Sequence, residues 1–279
     1  MADRVHEAGG TLLMQIMHGG RTSHPDLIDG ANPEAPSSFD WGGTVRGFSG
    51  KMDAPLPREL KKEELPRIVD EFRQGARRAI DAGVDGVEIH NANGYLLHEF
   101  MAASSNKRDD EFGGSPENRW RLPEMVIRAV VEEIGADRVG VRFSPAHNVQ
   151  GVIEDDQEDM LATYGGLLDA LAPLNLAYVS LLHGEPESEL IAQLANRARA
   201  NGVTKVLMND GFPTVTSKED AQREIELDYV DAAVVGRQLI ANPDLVRRWR
   251  EGLELNEPDQ ETFYLGGERG YIDYEYAAD

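Results

Sequence analysis

The sequence predicts an α/β protein built on a parallel sheet with helices on its faces. Two observations carry the prediction. Short apolar, β-branched runs alternate along the chain with segments of helical period. The runs are continuously apolar and do not alternate with polar residues, the pattern of strands covered on both sides. A third observation limits it: six strands are found, whereas a closed (β/α)8 barrel needs eight in about 250 residues.

Residues 2–8 read as the end of a helix, followed by Gly9-Gly10. Strands are expected at 11–17, 86–90, 139–143, 176–181, 205–208 and 232–235. Amphipathic helices are expected at 63–82, 116–134, 157–171, 186–200 and 217–227. Ser115-Pro116-Glu117 offers a capping serine with proline at the first helical position. Ser217-Lys218-Glu219-Asp220 puts acids in a first turn, where the helix dipole favours them. Residues 19–57 form a long connection rich in Gly, Pro and Ser, the profile of a lid or binding loop. No linker or low-complexity tract divides the chain, so one domain over 1–279 is expected, closed by a tail at 252–279.

With 50 Asp and Glu against 28 Lys and Arg, the net charge is −22. Such a field repels nucleic acid and anionic membranes. Only six of the 28 cations are Lys, a balance that suits a high-salt cytoplasm as well as an ordinary acidic one. No apolar run approaches the ~18 residues of a membrane helix, and the first residues lack a signal-peptide pattern. A soluble, cytoplasmic protein is expected. The absence of Cys excludes disulfides, Cys-ligated metals and thiol catalysis.

The chemistry concentrates after one strand. The run ending at Ile89 stops at His90, and Asn93 and Tyr95 follow. In parallel α/β proteins the ends of strands carry the catalytic groups. His90 and Asn93 both donate hydrogen bonds, and two donors aimed at one oxygen stabilise enolate-like charge. Tyr95 holds its proton at neutral pH and can act as a general acid. The plainer alternative is a core histidine, an Asn-Gly turn and a packed aromatic. Arg142, inside an apolar strand, needs a buried partner: an anionic ligand, or a carboxylate such as Glu88. Gln15, in another strand, suits the edge of a heterocycle or a backbone partner. Asn209-Asp210-Gly211-Phe212 and Gly236-Arg237 follow consecutive strands, where barrels often bind phosphate. His18, His24, His90 and His98 show no recognised metal-ligand spacing, so no metal is expected.

These residues bring a family with them. Residues 15–25 (QIMHGGRTSHP), 86–119, 139–145 (VGVRFSP), 235–245 (VGRQLIANPDL) and 255–274 (LNEPDQETFYLGGERGYIDY) resemble the old yellow enzymes, with the N-ethylmaleimide and xenobiotic reductases closest. The resemblance implies a TIM (β/α)8-type barrel, with about six of its eight β/α units in this chain. It implies an FMN-dependent, NAD(P)H-consuming reductase of activated alkenes: enones, maleimides and nitro compounds. By the same resemblance, His90 and Asn93 would hold the substrate's electron-withdrawing oxygen and Tyr95 would protonate its α-carbon. Gln15 and Arg142 would contact the flavin ring. Gly211, Gly236, Arg237 and the backbone of Asp210 would take the phosphate. Phe263, Tyr264 and Met17 would line the site, the last two in the substrate pocket.

Three departures stand out. Met17 replaces a tryptophan of well-known members, and Asp210 stands where a small residue is common. The family's first two strands have no counterpart before residue 11, which favours a shortened chain over one completed by another chain. The alternatives are a flavin-free, inactive barrel fragment and, as a minor reading, a metal-dependent barrel hydrolase or lyase.

Overall fold

The computed structural model describes residues 1–211, 215–263 and 267–278. A short helix α1 (Ala2–Glu7) leads into strand β1 (Leu13–Ile16). The long connection that follows is not structureless. It holds β2 (Glu34–Ala35), β3 (Thr44–Gly47), β4 (Gly50–Asp53) and β5 (Arg58–Glu59), paired as a parallel β2–β5 ladder and an antiparallel β3–β4 hairpin. Regular alternation then sets in: α2 (Leu65–Asp81), β6 (Gly86–His90), α3 (Leu96–Met101), α4 (Pro116–Ile134), β7 (Val139–Phe143), α5 (Gln157–Leu171), β8 (Tyr178–Leu182), α6 (Glu189–Arg199), β9 (Lys205–Asn209), α7 (Lys218–Ile225) and β10 (Ala232–Ala233). Two short helices, α8 (Arg237–Ala241) and α9 (Leu245–Glu251), precede the tail.

Six strands form one parallel sheet in the order β1-β6-β7-β8-β9-β10. This is the expected α/β architecture. Among the described residues β1 and β10 are not paired with each other, so the sheet keeps two edges. The helix caps follow the sequence. Ser115 caps α4 by accepting from the Asn118 N–H, Asp156 caps α5, and Ser217 with Asp220 forms a capping box on α7.

Strand side chains alternate between two faces. Val87, Ile89, Val139, Val141, Phe143, Val179, Leu181, Val206 and Met208 belong to one buried cluster with Ile68, Phe72, Val126, Ile127 and Leu167 of the helices. The other face carries the polar groups in two rows. Gln15, Glu88, Gly140, Tyr178 and Lys205 lie in register across the sheet, and one step towards the carboxyl ends lie His90, Arg142, Ser180 and Leu207. Gly140 is required in the first row: a Cβ there would lie 2.1 Å from the Tyr178 ring.

Three helices were not anticipated from sequence. All six residues of α3 are buried, so it has no polar face and no amphipathic period. Helices α8 and α9 are too short for a period to register. The connection 19–57 is tied to α2 through Glu34, which accepts from Arg58 and Arg67 and lies beside His18. Hydrogen bonding from His18, then from Arg67, holds the Glu34 carboxyl down at about 2 despite partial burial. Among the described residues no helix is long and apolar enough to cross a membrane.

Candidate active site

His90 ends β6 in the middle of the sheet and is buried. Burial, with the charge of Arg142 beside it, pushes the imidazole down to about 3, so it is neutral and offers one N–H. Its Nδ1 is buried and has no hydrogen-bond partner. Asn93 adopts the left-handed conformation (φ 56°) that asparagine tolerates better than most residues. Its N–H donates to Ser144 Oγ (2.7 Å), its carbonyl accepts from Gln150 Nε2 (2.6 Å), and its Oδ1 is buried without a partner. Gly94 follows at φ 76°, where a Cβ would crowd the Val149 carbonyl at 2.9 Å. Tyr95, half-buried, is the N-cap of α3, and its ring lies 5.0 Å from that of His90. The structure thus gathers His90, Asn93 and Tyr95 on one turn.

Arg142 sits opposite His90 in the neighbouring strand. Its Nε is buried and unbonded. Burial lowers the guanidinium from its ordinary value and the nearby Glu88 carboxylate partly restores it. Glu88 is engaged by Gln15, whose Nε2 donates to it at 2.5 Å, and by Tyr178. Gln15 therefore meets a side chain and not the backbone partner that sequence alone allowed. Burial and Glu88 together push the Tyr178 phenol far up.

A cavity of about 410 Å³ opens at the carboxyl ends of β7, β8 and β9, lined by Pro145, Ala146, His147, His183, Gly184 and Gly211 among others. Gly211 adopts φ 101°, a conformation that favours glycine, and lies in van der Waals reach of Gly184. The Asp210 carboxylate accepts from Thr216 Oγ1 (2.7 Å) and is buried there. Gly236 and Arg237 begin α8 at the end of the edge strand β10. Met17, half exposed, follows β1 and lines a second cavity of about 330 Å³ with His18 and Glu34. Phe263 is half-buried in a turn after Asp259, and Tyr264 lies outside the described residues. The tail is bonded within itself, as by the Asp259 N–H to the Tyr274 hydroxyl, and to α8 and α9: Asn256 donates to the Ala241 carbonyl, and Arg248 to that of Glu275. Among the described residues no group of three His, Asp or Glu side chains is placed to hold a metal ion.

Sequence reasoning missed Ser144, Gln150 and His98, which hold the Asn93 turn. It also missed His147 and His183 in the glycine-lined cavity. Ser144 and Gln150 acquire their places through contacts distant in sequence, while His98 bonds to Gly94 only four residues away.

Fold and site define the class first: a β/α-barrel-type protein whose polar groups converge at the carboxyl ends of its parallel strands. The comparisons then narrow it. A profile for the NADH:flavin oxidoreductase / NADH oxidase family matches residues 1–256. Flavin oxidoreductase hxnT of Emericella nidulans is 37% identical over 299 residues, covering 99% of this chain and 76% of that protein. 12-Oxophytodienoate reductase 1 of Oryza sativa subsp. japonica is 37% identical over 281 residues, covering 99% and 72%. Among solved structures, morphinone reductase in complex with tetrahydroNAD superposes with a TM-score of 0.88 at 36% identity, covering 100% of this chain and 76% of that one. The old yellow enzyme homologue from Zymomonas mobilis gives 0.87 at 34%, covering 98% and 76%. The chain belongs to the NADH:flavin oxidoreductase / NADH oxidase family, that of the old yellow enzymes, and is an FMN-dependent oxidoreductase.

The residues present fit that cofactor. Arg142 is a half-buried cation with a buried, unbonded Nε, suited to an electron-rich ring edge. The Gly184–Gly211 approach leaves a cavity with backbone close at hand. The Asp210 carboxylate, which would repel a phosphate, is turned to Thr216.

Proposed function

We propose that this chain reduces carbon–carbon double bonds activated by a carbonyl or nitro group, such as enones and maleimides, with NAD(P)H as the reductant, in the cytoplasm. Bound FMN would accept hydride from NAD(P)H and deliver it to the alkene β-carbon. The rest falls to the protein. Neutral His90 and Asn93 donate to the activating oxygen and stabilise the charge that grows there as the double bond is attacked. Neither carries a charge that would have to be neutralised first. Tyr95, beside His90, passes its proton to the α-carbon. Arg142 and Gln15 bear on the flavin ring. The backbone of Asp210 and Gly211, with Gly236 and Arg237, takes the phosphate. Met17, Phe263 and Tyr264 shape the substrate side.

One observation carries this proposal: His90, with a buried and unpartnered Nδ1, Asn93 and a tyrosine share a single strand-end turn beside a half-buried arginine whose Nε is unbonded. Buried polar groups are normally paired, so unpaired ones at a site are suited to a ligand. The test is to load the purified chain with FMN and follow NADPH consumption with N-ethylmaleimide or 2-cyclohexenone. Alkene-dependent oxidation is expected. NADPH oxidation that runs at the same rate with and without the alkene would overturn this reading.

A further inference from the structure

The turn that carries Asn93 and Tyr95 is closed by one backbone bond, from the Tyr95 N–H to the Ala92 carbonyl at 3.2 Å, and the peptide groups inside it are held by side chains. Three consecutive backbone groups are involved. The Asn93 N–H goes to Ser144, the Asn93 carbonyl takes Gln150, and the Gly94 N–H donates to His98 Nδ1 at 2.9 Å. Ser144 and Gln150 both come from the connection after β7; His98 comes from α3.

His98 is fully buried. Because Nδ1 accepts from Gly94, the ring proton of the neutral imidazole lies on Nε2. Nε2 stands 2.9 Å from the Tyr164 hydroxyl and 3.3 Å from Glu154 Oε2. The Tyr164 hydroxyl donates to Glu154 at 3.0 Å, and Glu154 also accepts the Ala146 N–H at 3.1 Å. Glu154 therefore fixes the tautomer and orientation of His98, and through it joins the β7 connection to the Gly94 peptide. That peptide lies between the residue proposed to bind oxygen and the residue proposed to deliver the proton.

The geometry points to His98, oriented by Glu154 and Tyr164, as a positioning residue that sets Asn93 and Tyr95 together by fixing the Gly94 peptide. This rests on the alkene-reductase reading for the roles of Asn93 and Tyr95, while the clamp itself does not. If the Gly94 N–H loses its acceptor, the Asn93–Gly94 peptide keeps only the Gln150 bond to its carbonyl and can tilt about it. Oxyanion binding and proton delivery then fail in step.

The experiment compares wild type with His98→Phe, which keeps a ring but has no acceptor, and His98→Asn, whose Oδ1 falls near the place of Nδ1. Two measurements are made on FMN-loaded protein: the affinity for 4-hydroxybenzaldehyde, whose phenolate mimics an enolate oxygen, and the rate of 2-cyclohexenone reduction. A third, backbone amide exchange at Gly94, needs no flavin. His98→Phe is expected to weaken phenolate binding and slow enone reduction, each by about 10–100-fold, and to lose Gly94 protection. His98→Asn is expected to restore most of all three. The proposal is overturned if the two variants behave alike, or if His98→Phe leaves Gly94 protected. An FMN-loaded wild type without enone turnover would reject the alkene-reductase reading; phenolate affinity and amide exchange would still decide the clamp.

Discussion

The middle of the sheet and its two edges share the site but are built differently. In the middle, β6 and β7 have strands on both sides, and their outward side chains Val87, Ile89, Val139, Val141 and Phe143 are fully buried. At the edges, β1 exposes Leu13 and Met14, and β10 pairs through only two residues. His90, Asn93, Tyr95 and Arg142 belong to the middle. Gln15 and Met17 belong to one edge, Gly236 and Arg237 to the other. The groups proposed to polarise and protonate the substrate stand on the best-braced strands, while part of the cofactor's share, and Met17 of the substrate side, rest on strands with one neighbour. Substrate-side substitutions should therefore change rates in an intact protein, and edge substitutions should change how well the cofactor is held.

The largest effects are expected in the middle. Tyr95→Phe should slow alkene reduction by roughly 10²–10⁴-fold, the usual contribution of a positioned acid, and spare flavin reduction by NAD(P)H. Stopped-flow measurement of the two half-reactions separates them, and equal slowing of both would remove Tyr95 from the acid role. His90→Ala should lose about 10²–10³-fold, the usual loss for one donor to a developing oxyanion. Because burial pushes the imidazole down to about 3, its donor role should be independent of pH between pH 5 and 8. A rate that rose and fell with a group near pH 6.5 in wild type, and not in His90→Ala, would contradict the neutral form.

Bracing the middle brings a pH dependence of its own. Glu99 in α3 accepts the Arg21 N–H at 2.9 Å, which pins the start of the 19–57 connection under the site. It is completely buried, and burial pushes its carboxyl up to about 8 from an ordinary 4.5, with Arg21 opposing. The guanidinium of Arg21 lies 5.3 Å from the rings of both Phe39 and Trp41 instead. With the folded value raised, the folded state binds the extra proton between pH 4.5 and about 8. Stability from this group is full below pH 4.5 and is lost as pH rises towards 8. Glu99→Gln, which keeps an acceptor and removes the titration, should flatten that loss. Its melting temperature should exceed that of wild type at pH 8 by several degrees more than at pH 5. Parallel melting curves for the two proteins across that range would refute the assignment.

At the edge the expected effect is smaller and of another kind. Arg237→Ala should weaken FMN binding by roughly 10–100-fold, the range for one hydrogen bond to a charged group, with little change in turnover once FMN saturates. Fluorescence titration with FMN measures it. A drop in turnover at saturating FMN would place Arg237 in the chemistry and blur the division between edge and middle.

That division also governs what could be read from sequence. The bounds of β6, β7, α4 and α5 were legible to the residue, because buried apolar runs end sharply in polar residues and α4 opens on Ser115. At the edge, β10 was expected to reach Val235 but pairs only through Ala233, since a single neighbouring strand supplies half the hydrogen bonds. His90, Asn93 and Tyr95 were legible as a group because they follow one another on one strand end. The Ser144 and Gln150 contacts to Asn93 cross 51 and 57 residues, and no local pattern announces them. The α3 helix was invisible for the reason that makes it useful: with no exposed face it has no period, yet it carries His98 and Glu99 into the interior.

The smallest effect is also the most direct measure of the contrast. Val141 and Met14 are both apolar strand residues, one on β7 and fully buried, the other on β1 and 43% exposed. Val141→Ala removes two buried carbons and leaves a cavity in a close-packed layer, a loss of about 2 kcal/mol. Met14→Ala removes a longer side chain, but much of it already lies in water, so the expected loss stays below about 1 kcal/mol. Urea unfolding of the two variants compares them on one scale, with an unchanged slope showing that the same structure unfolds. A larger loss at Met14 than at Val141 would mean that this edge is covered in solution, and the division drawn from the sheet would have to be redrawn.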